Sequence, residues 1–136
     1  MEEQKIDDEL TYKIIGCAMR VHSYLGNGFQ EVIYQRAMAI EMKNVGLSFA
    51  REMDMDIHFY DDVIGTRRVD FFVENIIPVE LKAITKLENT NIAQGLNYLR
   101  VYKIEKGLLI NFGASSLEVK RLRPPMKYIN HPSDSP

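Results

Sequence analysis

The chain holds a single cysteine, Cys17, in 136 residues. One thiol excludes an internal disulfide framework and any zinc cage built from cysteines. Cys17 sits among Ile14, Ile15, Ala18 and Val21, the setting of a small buried apolar residue rather than of a reactive thiol. Also missing is an apolar run long enough to span a bilayer. The opening MEEQKIDDEL is acidic where a secretory signal would be basic and then greasy. The expected compartment is therefore a reducing cytoplasm. There is no internal repeat and no low-complexity tract. No Ser/His/Asp or Cys/His arrangement suggests nucleophilic catalysis by a side chain.

An excess of positive charge is lacking too, since the formal net charge is −2. That argues against a nucleic-acid binder until the distribution is read. Residues 1–62 hold six Lys/Arg against twelve Asp/Glu, or −6, whereas residues 63–136 hold eleven against seven, or +4. The second half thus carries the cations that could face a phosphate backbone. The plainer alternative is charge scattered over a solvated surface.

What is present is an ordinary soluble composition, 46% hydrophobic and 26% charged, in a chain long enough for one domain with a real core. Residues 1–123 read as that domain, and 124–136, PPMKYINHPSDSP, as a poorly ordered tail. Apolar positions at three- and four-residue intervals (Leu10, Ile14, Cys17, Ala18, Val21) predict a helix over Asp7–Tyr24. LGNG breaks it. A second helix follows over Phe29–Asn44, its inner stripe read as Val32, Ile33, Ala37 and Ile40, with Gly46 as its stop. AREMDMDIHFY then alternates as a half-buried strand. DDVIG supplies a turn before a strand through Val69–Val73, and another strand runs from Ile76 to Ile84. A helix over Leu87–Tyr102 leads to two closing strands, GLLINF and LEVKRL. The order α-α-β-β-β-α-β-β implies a mixed sheet with helices packed on it.

One stretch of this plan invites chemistry. In RRVDFFVENIIPVELKA, Glu80 and Lys82 share one face of a strand whose other face is Val79, Leu81 and Ala83. Charges in so apolar a run must be paired, hydrated or bound to metal. A two-residue hairpin loop would put Asp70 on the wrong face. A loop of three residues centred on Asn75, or a two-residue turn with a bulge at Pro78, brings Asp70 opposite Glu80, about 5 Å away at Cβ. Two carboxylates with open positions for water and phosphate are how Mg²⁺ is commonly held. Lys82 beside them would orient a water and offset developing charge. On the second helix Glu31 and Tyr34 share a face, as do Gln94 and Tyr98 on the third. Each has a plainer explanation: an acid complementing a helix N-terminus, or core aromatics with a wet hydroxyl.

The run GFQEVIY, Gly28 to Tyr34, resembles the G-x-x-E-x-x-Y motif that names a family of small bacterial and archaeal proteins. RRVDFFVENIIPVELKA, IAQGLNYL and GLLINFG resemble further blocks of that family in the same order. The similarity runs from about His22 to Leu122. The resemblance implies the PD-(D/E)XK nuclease superfamily and an α/β (α+β) fold: a restriction-endonuclease-like α-β-β-β-α-β core whose mixed central sheet is flanked by helices. This chain would add an N-terminal helix and a C-terminal strand. The resemblance further implies that Asp70 binds metal, that Glu80 and Lys82 are the E-x-K pair, and that Glu31 is the helical glutamate joining them. Gln94 and Tyr98 match a Q-x-x-x-Y motif of RecB-like nucleases, where the pair supports the active site or contacts DNA. Val69 stands where the superfamily name has proline.

The function expected is metal-dependent hydrolysis of phosphodiester bonds in nucleic acid, DNA being the expected partner. Catalytic groups would be Glu31, Asp70, Glu80 and Lys82. Mg²⁺ or Mn²⁺ would be held by Asp70, Glu80, Glu31 and the carbonyl of Leu81. Gln94, Tyr98, Tyr34 and His22 would support the site or contact substrate. Arg67, Arg68, Lys86, Arg100 and Lys103 are candidates for phosphate contacts, which set position rather than sequence preference. A chain this small could work as a homodimer or within a larger complex. The alternative is a non-catalytic module that keeps the fold and binds nucleic acid or protein.

Overall fold

A computed structural model describes residues 2–125, with side chains from residue 8 onward. In chain order the elements are α1 (Glu2–Leu25), α2 (Glu31–Asn44), β1 (Phe49–Phe59), β2 (Asp62–Val73), β3 (Ile77–Lys82), α3 (Asn89–Val101), β4 (Gly107–Asn111) and β5 (Glu118–Leu122). The tail expected over 124–136 falls, beyond Pro125, outside the described residues. Among the described residues no helix is long and apolar enough to cross a membrane.

The five strands form one sheet in the order β1-β2-β3-β4-β5. Strands β1, β2 and β3 are antiparallel neighbours, β3 and β4 are parallel, and β5 returns antiparallel. A parallel pair cannot be joined by a tight turn, which is why α3 lies between β3 and β4. One face packs against α1 and α2 through Ile14, Cys17, Tyr34, Met38, Phe71, Val79, Leu81 and Ile110. The other packs against α3 through Val69, Tyr98, Leu99, Leu109 and Leu122. Strand β4 contributes to both cores, so all five of its residues are buried, as expected of an interior strand covered on two faces.

The α1 stripe read from the sequence is the buried one, Cys17 included. The α2 stripe is only partly so: Ala37 packs against the core and Ile33 is half-buried. Tyr34, Gln35, Met38 and Met42 face inward, whereas Val32 is 40% and Ile40 63% exposed. Tyr34, Met38 and Met42 recur every four residues and are fully buried. Tyr34 is also anchored by stacking on Phe112 at a 4.8 Å centroid distance. Gly46 ends α2 as expected: at φ +83° its N–H donates to the carbonyl of Lys43, and that of Leu47 to Met42. These are the two bonds of a Schellman cap.

Two strand boundaries differ from the sequence reading. DDVIG is mostly strand, because β1 and β2 pair out to Phe59–Asp62 and the turn is confined to Tyr60–Asp61. Val63 and Ile64 remain exposed there, so the pairing is held by the backbone ladder rather than by burial. Strand β3 stops at Lys82 instead of Ile84. Asn111 of β4 takes over the backbone there: its Oδ1 accepts from Ile84 N–H at 3.0 Å and its Nδ2 donates to the Ile84 carbonyl at 2.9 Å.

Candidate functional site

The β2–β3 loop decides where Asp70 goes. It contains Glu74, Asn75 and Ile76, with Val73 paired to Ile77 and Phe72 to Pro78. This is the three-residue solution; Pro78 lies in the ladder and forms no bulge. Ile76 N–H donates to the Val73 carbonyl at 2.9 Å, and Glu74 and Asn75 both take positive φ, +54° and +55°. Asn tolerates that conformation and Glu less so. Glu74 is compensated by tertiary bonds: its N–H donates to the Ser48 carbonyl at 2.8 Å and its carboxylate accepts from the Ser48 N–H.

In this register Asp70 comes level with Glu80, but the ladder ends one step earlier at Phe71–Val79. Strand β2 turns over at this point, with Val69 in the α3-side core and Phe71 in the opposite one. The β1–β2 ladder likewise skips Glu52 and Asp70, and Glu52 has φ +50°. Asp70 therefore sits in a fork between β2 and β3. Its Oδ2 accepts from the Leu81 N–H at 2.8 Å and its Oδ1 from Gln35 Nε2 at 3.0 Å. Burial raises the Asp70 pKa, opposed by these two hydrogen bonds and by Lys82, while Glu52 adds to the rise.

Glu80 and Lys82 project opposite Val79 and Leu81. Glu80 is bound by Arg67, whose Nη1 also donates to the Gln94 carbonyl at 2.8 Å. The same guanidinium lies 5.2 Å from the ring centre of Tyr98. Glu31, at the first turn of α2, has its pKa raised by loss of hydration first, then by Asp70 and Glu80, with Lys82 opposing. Glu31, Asp70, Glu80 and Lys82 thus share one electrostatic neighbourhood, though they come from three separate elements. The side chains of Glu31 and Lys82 have no hydrogen bond or close ion pair among the described residues.

The remaining candidates divide. Tyr34 is fully buried; its hydroxyl donates to the Gly26 carbonyl at 2.7 Å and accepts from Phe29 N–H at 3.2 Å. It pins the glycine loop before α2 and does not reach a substrate surface. His22 donates from Nε2 to the Ala114 carbonyl at 3.0 Å, tying α1 to the β4–β5 loop. Gln94 is exposed and offers its backbone oxygen, not its amide, to Arg67. Tyr98 is buried with its hydroxyl on the Met55 sulfur at 2.8 Å, its pKa pushed up to about 12 chiefly by burial. It supports the underside of the Arg67–Glu80 pair. Arg67 is therefore engaged within the protein rather than held out to solvent. Arg68 is exposed but pairs with Asp54 at 2.9 Å. Lys86, Arg100 and Lys103 are exposed around α3, with Arg100 Nη2 on Asn97 at 3.0 Å.

Four residues here, Gln35, Arg51, Asn111 and Gly113, have no role in the sequence reading. Gln35 lies one helical turn after Glu31, so the spacing could have drawn attention to it. Its Oε1 accepts from Arg51 Nη2 at 3.3 Å, and no local signal marks that partner. Asn111 interrupts an apolar strand, and a buried amide there has to be satisfied. Besides Ile84, it donates to Glu118 at 2.8 Å and accepts from Gly113 N–H at 3.1 Å. Gly113 lets the Ala83–Ile84 backbone pass where a Cβ would collide with it. Together they fix the chain just after Lys82.

A divalent metal can be tested against this donor set. The side chains are carboxylates, the hard oxygen donors that Mg²⁺ takes. Each oxygen of Asp70 accepts one hydrogen bond and keeps a lone pair. Burial is the main reason the pKa values of Glu31 and Asp70 are raised, as loss of hydration disfavours a charged carboxylate. Among the described residues no group of three or more acidic, imidazole or thiol side chains is set to close on one ion. Mg²⁺ is typically held by one or two carboxylates with water and substrate phosphate, not by such a cage. The set fits.

The mixed five-stranded sheet with its α-β-β-β-α-β core defines a restriction-endonuclease-like fold. The family model of the PD-(D/E)XK nuclease superfamily matches residues 8–122; the chain belongs to that superfamily. The crystal structure of SSO0001 is similar in fold, at 16% identity and a TM-score of 0.54 over 77% of this chain. The match spans 56% of that structure's own length. No curated protein matches the chain.

Proposed function

We propose that this protein is a Mg²⁺- or Mn²⁺-dependent nuclease of the G-x-x-E-x-x-Y type, working in the cytoplasm on DNA. What supports this reading is the β2–β3 register that brings Asp70 level with Glu80, with Lys82 two residues further along β3 and Glu31 at the first turn of α2. Asp70 and Glu80 would hold the metal, with the Leu81 carbonyl and Glu31 as further ligands. The bound ion would supply Lewis-acid polarisation of a phosphoryl oxygen and a more acidic water. Lys82, carrying no close ion pair, would orient the attacking water and offset charge that builds on the phosphoryl oxygens. Gln35 and the Leu81 N–H orient the Asp70 carboxylate, and Arg67 orients Glu80.

Cleavage of DNA with Mg²⁺ or Mn²⁺ tests the reading. Glu80→Ala and Lys82→Ala should each lower the rate by about two orders of magnitude or more, as loss of an aligned electrostatic group does. Full activity in both variants would refute the mechanism. The Arg67–Glu80 pair favours one second reading, in which Glu80 is neutralised and the fold serves as a binding module. Calorimetry separates them: metal binding that disappears in Asp70→Asn supports the nuclease, and the absence of binding by any divalent ion supports the module.

A further inference from the structure

A second charged region lies on the same side of the sheet as α2. Between α2 and the start of β1 runs a groove of about 850 Å³. Arg36, Lys43 and Arg51 stand on its rim, while Ile40, Leu47 and Phe49 contribute apolar surface. Among the described residues that line it, none is acidic. Glu74, whose carboxylate accepts from the N–H of the lining residue Ser48, is engaged by that bond. The side chains of Arg36 and Lys43 have no hydrogen bond or ion pair among the described residues. They lie seven positions apart, roughly 10 Å along the helix. This concentration of cations is notable because residues 1–62 carry a net −6.

The groove is wired to the candidate site. Arg51 donates to Gln35 at 3.3 Å, and Gln35 donates to Asp70 at 3.0 Å. A polymer lying along Arg36, Lys43 and Arg51 would therefore run toward the Asp70 fork. Cations along a rim with apolar surface between them suit a polyanion whose flat faces are unpaired, because bases can lie on the apolar surface while phosphates meet the cations. A duplex keeps its base faces stacked inside and offers only the charge.

We propose that this groove is the track for a single nucleic-acid strand leading to the phosphodiester at the fork. It rests on the nuclease reading for its direction, but its binding chemistry is measured independently. Fluorescence anisotropy with labelled oligothymidylate in EDTA reads binding without hydrolysis. The paired substitution Arg36→Ala and Lys43→Ala should weaken binding about tenfold near 0.1 M salt and lower the salt slope by about 1.4. Lys120→Ala, at an exposed position of β5, should leave binding unchanged. The wild type should prefer the oligothymidylate over a duplex of equal length.

Unchanged binding in the paired variant, a preference for duplex, or no binding at all would overturn the proposal. So would preferential displacement of the oligonucleotide by polyglutamate, which would assign the groove to an acidic protein segment. If the alanine pair does not fold by circular dichroism, Arg36→Gln with Lys43→Gln carries the same test. Lys82→Ala distinguishes the two readings, because it should slow cleavage by about two orders of magnitude or more while binding in EDTA still depends on Arg36 and Lys43. Groove-dependent binding by a wild type that never cleaves would sink hydrolysis alone. Cleavage with groove variants that bind normally would sink the track alone.

Discussion

Arg67 and Arg68 are neighbours in one strand, yet they inhabit different physical regimes. Arg67 turns toward α3, where it meets Glu80, the Gln94 carbonyl and the Tyr98 ring; its side chain is 25% exposed and that of Glu80 15%. Arg68 turns to the open face and meets Asp54 through two contacts, 2.9 and 3.2 Å, with both side chains more than half exposed. On paper the outer pair has the better fork geometry. Water decides otherwise. An exposed pair loses most of its Coulomb attraction to solvent and salt, whereas a partly desolvated one leaves an expensive orphan when broken. The lesson is that a contact's consequence follows from its burial more than from its bond length.

The strongest way to break the contrast is Arg67→Ala. It strips the partner from Glu80 and exposes the Tyr98 face, and should cost about 2 kcal/mol in urea unfolding. A cost indistinguishable from that of an outer-face substitution would erase the distinction. A middle-sized effect is expected at Glu31, whose raised pKa means that the folded state binds its proton more tightly than the unfolded chain does. Stability should therefore fall as pH rises from the ordinary carboxylate range through the raised value, then level off. Asp70, also raised, contributes a decline of the same sign, so Glu31→Gln should reduce the decline without removing it in a series of pH-dependent melts. The smallest effect sharpens the other side. Arg68→Ala should leave the urea midpoint unchanged within error, at low salt and at high salt alike.

Much of the fold was legible because it depends on local rules. Leu10, Ile14, Cys17 and Val21 announce α1 by their period, and Gly46 ends α2 because it can take a positive φ. The E-N-I loop was read as one of two solutions that bring Asp70 level with Glu80. Its choice rested on tertiary support, the bonds between Glu74 and Ser48. The α2 face was misread for a related reason. Val32 and Ile40 are apolar, but the sheet accepts Tyr34 and Met38 instead, and period alone gives no priority among overlapping stripes. Around the site, the acids and Lys82 stood out as charges in an apolar strand. Gln35, Arg51 and Asn111 did not, since polar residues gain meaning from the groups they face.

By itself, then, the sequence determined the element order, the solitary buried thiol and the charge imbalance between its halves. These follow from composition, spacing and turn chemistry, which act over a few residues. Tertiary structure alone decided that Arg67 turns inward and Arg68 outward, that Gln35 links Arg51 to Asp70, and that three cations from the acidic half line one groove. Those outcomes depend on which surfaces lose water when distant segments meet, and hydration is a property of the assembled molecule.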